Sequence, residues 1–204
     1  MTKKIFLALG AIFVILIALS MLAYKRELAR VQSDPQKAYS EDLMKDGNLT
    51  ELHKAVFDGD FNRANQLIQQ GYNIHTKTSV FKFTPFHMSI FQGHTDLADL
   101  LLFHGAKINE ISNFNQTPLH WAAFMGKTNS VNFLISKRAD LEKLSEQGMT
   151  ALHYAAIKGN LKIVKALVQN GAKIYIRTNQ GKTAEELAKD NGKLATAQFL
   201  ASIN

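Results

Sequence analysis

A repeat of 33 residues runs through about three quarters of the chain and constrains its fold more than any other feature. The motif appears as TPFH at residues 84–87, as TPLH at residues 117–120 and as TALH at residues 150–153, so its threonine recurs at 33-residue steps. Glycine and leucine columns keep nearly the same step, at Gly59, Gly93, Gly126, Gly159 and Gly192 and at Leu67, Leu101, Leu134 and Leu167. Unrelated columns in one phase do not arise by chance, so the chain consists of stacked copies of one structural unit.

The unit over residues 112–144 indicates what each copy folds into. Thr117 is placed to cap a helix, and Pro118 fits the first helical turn, where its missing N–H costs nothing. Gly126 ends this helix after about two turns, because glycine tolerates left-handed geometry. A second helix follows over residues 130–136. Helices this short are marginal alone, so each copy gains stability only by stacking on the next, and the array is a solenoid.

The pattern resembles the ankyrin repeat. Residues 117–123 (TPLHWAA) and 150–156 (TALHYAA) match the family's Thr-Pro-Leu-His-x-Ala-Ala almost in full. The resemblance implies an all-α solenoid of helix-turn-helix units with short hairpin loops, extending over residues 46–204. Its five repeats are expected at about residues 46–78, 79–111, 112–144, 145–177 and 178–204.

The two terminal units depart from the family pattern. The first has Thr50-Glu51-Leu52-His53, which lacks the proline, and the last has Glu186 where its predecessors have histidine. A terminal unit of a solenoid faces water on one side, so polar substitution is expected there. We interpret both units as capping repeats.

An apolar segment precedes the repeats. Residues 5–23 form a run of 19 residues without a charge, and lysine or arginine flanks it on both sides. A helix of that length reaches roughly 28 Å, close to the hydrocarbon thickness of a bilayer, and the flanking cations can snorkel to the headgroups. We therefore expect a single transmembrane helix in residues 1–24 and a linker over residues 25–45, where Pro35 interrupts the helix.

Two other interpretations of this segment stay open. Ala18 and Ser20 give the small-x-small pattern of a signal peptide cleaved after Ser20. A buried helix of the globular domain is the third, which the missing polar face disfavours. Lys3 and Lys4 favour a translocated, periplasmic or extracytoplasmic repeat domain, although the basic residues after the run pull the other way. In the cleaved alternative the protein is secreted or periplasmic and acts as an inhibitor or accessory factor of an exported enzyme.

The resemblance implies a protein-binding module and no enzyme. The partner is expected on the concave side of the stack, formed by the loop tips and by exposed positions of the first helices. The candidate partner-binding residues are apolar or aromatic at such positions: Phe57, Phe81, Phe91, Phe114, Trp121, Phe124, Met125, Tyr154 and Ile157. An exposed apolar patch usually marks a partner. The alternative is that these aromatic side chains pack against loops of the next repeat.

Four histidines recur with the repeat and invite a metal hypothesis, namely His53, His87, His120 and His153. In a solenoid they lie about one repeat apart, roughly 10 Å, which is too far to share one ion. We expect them instead to brace adjacent repeats through hydrogen bonds, as the family's histidine does.

Other chemistries lack a sequence signal. The chain has no cysteine, and it has no complete phosphate-binding loop, dinucleotide fingerprint or nucleophile elbow, so no catalytic residue, metal or cofactor is expected. The net charge of +7 comes from interspersed signs without a block of like charges, so nucleic-acid binding is not indicated. We expect the repeat domain to be monomeric.

Overall fold

Paired short helices make up the described part of the chain. The computed structural model describes residue 44 and residues 47–203, where ten α-helices form and no β-strand occurs. The helices are α1 Glu51–Asp58 and α2 Phe61–Gln69, α3 Pro85–Gln92 and α4 Thr95–Phe103, α5 Pro118–Met125 and α6 Thr128–Ser136, α7 Ala151–Lys158 and α8 Leu161–Gln169, and α9 Ala184–Asp190 and α10 Leu194–Ala201. The all-α helix-turn-helix prediction is therefore confirmed for these residues.

The pairs stack in chain order. The first helices α1, α3, α5, α7 and α9 contact one another consecutively, and so do the second helices from α2 to α10. The leucine column of the second helices (Leu67, Leu101, Leu134 and Leu167) is fully buried between neighbours. Small residues such as Ala122 and Ala123 are equally buried and let the first helices approach closely. Each unit thus buries its apolar side on the units beside it, as a solenoid does.

A threonine caps every first helix. In α5 the backbone N–H of Thr117 donates to Nδ1 of His120 over 2.9 Å, which forms a capping box. The same arrangement starts α1, α3 and α7. In α9 the N–H of Thr183 donates to a carboxylate oxygen of Glu186 over 2.7 Å. Glu186 therefore caps the first helix of the last repeat as histidine does in the earlier repeats. It has no following repeat within residues 47–203 to bind.

Left-handed residues end the helices. Gly126 follows α5 at φ 72°, and its amide donates to carbonyls of the helix it ends. After α6, Arg138 adopts φ 61° where three other repeats have a glycine, namely Gly71, Gly105 and Gly171. This conformation costs a non-glycine residue about 1–2 kcal/mol.

The predicted N-terminal elements lie outside the part of the chain that the structure describes. Among the residues that the structure describes, no helix combines the length and apolar character that a bilayer crossing needs. Residues 1–43, 45 and 46 are not among the described residues. The described part of the chain therefore excludes the apolar run at 5–23, the cleavage position after Ser20 and all of the predicted linker except residue 44.

Candidate functional site

The nine candidate residues lie on the first helices and on the loops before them, but they differ in exposure. Phe57, Phe81, Phe124, Met125 and Ile157 are partly exposed. The side chain of Phe114, at a loop tip, is 55% exposed. These six residues form the accessible part of the predicted surface, here called the first-helix surface.

Three candidate residues are buried, and the expectation that they are exposed is wrong. Phe91 is fully buried, and Trp121 and Tyr154 are nearly so. The indole N–H of Trp121 donates to Oγ of Ser112 over 3.0 Å, and the Tyr154 hydroxyl accepts from the side-chain amide of Gln116 over 2.8 Å. Both rings therefore pack against loops, as the alternative interpretation predicts. The loops belong to the ring's own repeat or to the preceding repeat, however, and not to the next one.

Phe91 is buried because Phe83, the residue before the capping threonine of α3, packs against it. Phe83 is itself buried, and its carbonyl accepts from the amide of Thr78 over 2.9 Å. The ring of Phe91 lies against Phe83 and Trp121, with centroids 6.0 Å and 6.3 Å away. The same position in the next two repeats holds Gln116 and Met149, so the aromatic residue at position 83 is the sequence signal of this burial.

The buried and half-buried rings form a continuous cluster across the central repeats. Phe83 and Trp121 meet edge to face at 5.0 Å, Trp121 and Phe124 at 6.4 Å, and Phe124 and Tyr154 at 6.0 Å. Edge-to-face pairs contribute about 0.5–1.5 kcal/mol each beyond the burial of their area. These contacts restrict the orientation of Phe124, so its ring loses less conformational freedom on contact with a partner.

The loop tips are tied to one another. The amide of Asn113 donates to the carbonyl of Phe81 over 2.9 Å, and the amide of Glu146 donates to that of Phe114 over 2.8 Å. Phe114 adopts φ 56°, a rare conformation for a bulky residue, while presenting its ring to solvent. Such strain is concentrated at functional sites.

Two of the repeated histidines brace adjacent repeats. Nδ1 accepts from the N–H of the capping threonine, so the ring proton is on Nε2, which donates to a backbone carbonyl. Nε2 of His53 reaches the carbonyl of Phe83 over 3.2 Å and that of His120 reaches the carbonyl of Met149 over 3.0 Å, each in the next repeat. Nε2 of His153 reaches the carbonyl of Ile176 over 3.1 Å, within its own repeat of residues 145–177. The bracing prediction is confirmed for His53 and His120.

His87 differs from the other three. Its Nδ1 lies 3.0 Å from Oγ1 of Thr84, but its buried Nε2 has no hydrogen-bond partner among the described residues. Burial lowers the pKa of His87 to about 3, and it lowers the pKa of His120 to about 4. Neutral, buried rings of this kind are poor candidates for acid-base chemistry. No group of three or more potential metal ligands occurs within the described residues.

Sequence reasoning missed Lys158. Its ammonium nitrogen lies 4.9 Å from the ring centroid of Phe124, a cation–π contact between neighbouring first helices. Lys158 occupies the column of Met125 in the next repeat, so the repeat alignment alone could have placed it beside the candidate residues.

Comparison with known proteins agrees with this architecture. The family model described as Ankyrin repeats (3 copies) matches residues 52–145 and 139–204. No curated protein matches the chain.

Proposed function

Since the chain belongs to the ankyrin-repeat family, whose repeats serve as protein–protein interaction modules, we propose that it binds a protein partner on its first-helix surface and is held at a membrane by its N-terminal segment. The observation that carries the first part is the partly exposed apolar surface at Phe124, Met125 and Ile157, in which Phe124 packs on the buried rings of Trp121 and Tyr154. A rigid apolar surface with an aromatic centre favours binding, because little conformational freedom is lost on contact.

The loop tips extend this surface. Phe114 exposes its ring although its backbone is strained, and neighbouring loops are joined by backbone hydrogen bonds. We propose that the partner contacts Phe114 and Phe81 together with the first helices. Phe91, Trp121 and Tyr154 support the surface from below and contribute through the rings that they position.

Photo-crosslinking tests the proposal directly. Benzoylphenylalanine is placed at position 124 and, as the control, at position 103 on the second helix α4, where Phe103 is 85% exposed. In the cell of origin we expect one discrete protein adduct from position 124 that excess unmodified protein competes away, and none from position 103. Equal adducts from both positions, or none from position 124, would defeat the proposal.

A paired substitution supplies the matched comparison. Phe124→Ser with Ile157→Ser removes two partly exposed apolar side chains, and we expect the partner to be lost while the circular dichroism spectrum is retained. Phe103→Ser removes a more exposed ring from the other side of the unit and should leave binding unchanged.

Membrane attachment is the second part of the proposal, and the 19-residue apolar run at residues 5–23 supports it. The basic residues before the run favour a translocated repeat domain. Retention in the pellet after alkaline carbonate extraction, and activity of alkaline phosphatase fused after residue 204, are the expected results. A soluble mature protein beginning at residue 21 would favour the alternative, an exported inhibitor or accessory factor of an exported enzyme.

A further inference from the structure

Three lysines lie where the first helix of a repeat turns into the second. Lys127 is the residue before α6, Lys158 is the last residue of α7, and Lys193 is the residue before α10. They belong to three consecutive repeats and are called here the lysine edge. All three are half-buried.

Close packing at Gly159 brings two members of the lysine edge, Lys158 and Lys193, together. A Cβ atom at Gly159 would lie 2.8 Å from Cδ of Lys193, so the Lys193 stem rests on the backbone next to Lys158. One repeat earlier, Asn160 rests in the same way on Gly126, and its side-chain amide donates to the carbonyl of Ala123 over 3.1 Å. Gly126 directly precedes Lys127, so the three cations follow one another along the stack.

The charge of the lysine edge is not compensated within the described residues. None of the ion pairs formed by residues 47–203 includes Lys127, Lys158 or Lys193. The Lys127 ammonium instead donates to the carbonyl of Gln92 over 3.4 Å. Burial lowers the pKa of Lys127 and of Lys158, and the charge of Lys193 lowers the latter further. The neighbouring charges of Lys158 and Lys193 and the partly desolvated charge of Lys127 favour an incoming anion.

The lysine edge adjoins the first-helix surface. The Lys158 ammonium lies over the ring of Phe124, and Met125 and Ile157 are the residues before Gly126 and Lys158. The lysine ammonium groups therefore lie beside apolar side chains of the first-helix surface. A complementary ligand has carboxylates next to an apolar side chain.

We propose that the lysine edge, together with Phe124, binds an acidic segment of the partner protein, with its carboxylates against Lys127, Lys158 and Lys193 and an apolar side chain against Phe124. This inference rests on the proposed function and names the chemistry of the partner. An extended peptide fits better than an anionic membrane, because these lysines are recessed, whereas a flat headgroup layer first meets exposed lysines such as Lys162 and Lys165.

Fluorescence anisotropy on the full-length chain in a non-ionic detergent tests the inference. The probe is a fluorescein-labelled peptide of alternating Asp, Glu and Leu, and a peptide with Lys in place of the acidic residues is its control. We expect only the acidic peptide to bind, with an affinity that falls as salt rises, because charge-charge contacts are screened.

Charge reversal on the lysine edge supplies the decisive comparison. Lys127→Glu with Lys158→Glu should weaken binding by about tenfold or more, the size expected for losing close charge pairs. Lys143→Glu with Lys173→Glu makes the same charge change at exposed lysines without an ion pair and should alter affinity by less than about twofold. If the reversed protein loses its helical spectrum, Lys127→Met with Lys158→Met keeps the stems and should still weaken binding.

Four results would overturn the inference: no binding of the acidic peptide to the unsubstituted protein, unchanged affinity after reversal of the lysine edge, an equal loss in the control variant, or binding to phosphatidylglycerol vesicles that excludes the peptide. An adduct from position 124 together with any of them would leave the proposed function standing. Failure of the crosslinking experiment would remove both.

Discussion

Mild acid should destabilise the repeat stack through its buried histidines. His87 and His120 are buried, and their pKa values lie near 3 and 4, well below the ordinary value of 6.5. In each capping box Nδ1 accepts an N–H from threonine, so a second ring proton would face a donor. The native state therefore holds these rings neutral at a pH where the unfolded chain has charged them.

The sign and size of the effect follow from linkage. A histidine whose pKa is lowered by folding contributes stability that is complete above pH 6.5 and is lost as the pH falls toward its native pKa. Between pH 7 and pH 5 the unfolded chain gains about 0.7 proton at each of these rings and the native chain almost none. Almost all of the loss falls over the roughly 1.5 pH units below 6.5, so at about 1.36 kcal/mol per unit each ring costs about 2 kcal/mol and the pair about 4 kcal/mol. Burial lowers the pKa of His153 as well, which adds to the loss in the same direction.

Urea denaturation at pH 7 and pH 5, followed by circular dichroism, measures this loss. His120→Gln should reduce the pH-dependent part by about 2 kcal/mol, because glutamine keeps the capping box but does not titrate. His75→Gln, at an exposed histidine, is the control and should leave the pH dependence unchanged. Equal stability at the two pH values, or the same pH dependence in His120→Gln as in the unsubstituted protein, would refute the reasoning.

Three further expectations concern packing and backbone geometry. Phe91→Ala should lower the free energy of unfolding by about 3–5 kcal/mol and Phe124→Ala by clearly less, measured by urea denaturation, because only the first ring is fully buried; equal losses would contradict the assignment of exposure. Gly148→Ala should cost more than Gly181→Ala in the same assay, since both have φ near 70° but only at Gly148 would a Cβ collide with the next loop, 2.9 Å from a backbone nitrogen. Lys82→Gly should raise the midpoint of thermal unfolding, because it relieves a left-handed residue at φ 56° whose strain is about 1 kcal/mol; a lower midpoint would show that the lysine side chain contributes more than the strain.

The repeated columns made most of the fold predictable. Thr117, Pro118 and Gly126 each have a local physical role, namely a cap, a helix start and a helix end, so one unit could be worked out from its own residues. The buried leucines of the second helices follow from their spacing in the same way. These features depend on local chemistry that the sequence repeats.

Exposure on the first helices was less predictable, because it depends on contacts between units. Phe91 and Phe124 occupy the same column, yet one is fully buried and the other partly exposed. The difference arises from Phe83, whose ring packs against Phe91, whereas the same position in the next repeat holds Gln116. Column position alone does not reveal what a neighbouring loop covers. The cation–π contact of Lys158 with Phe124 also joins two repeats and escapes a single-unit interpretation.

The binding surface exists only if single units are unstable and stacking orders them. Far-ultraviolet circular dichroism of a peptide spanning residues 112–144, compared with a fragment spanning residues 79–177, tests that dependence most directly. We expect an unordered spectrum for the single unit and a helical spectrum with cooperative melting for the three-unit fragment. A helical, cooperatively melting single unit would contradict it.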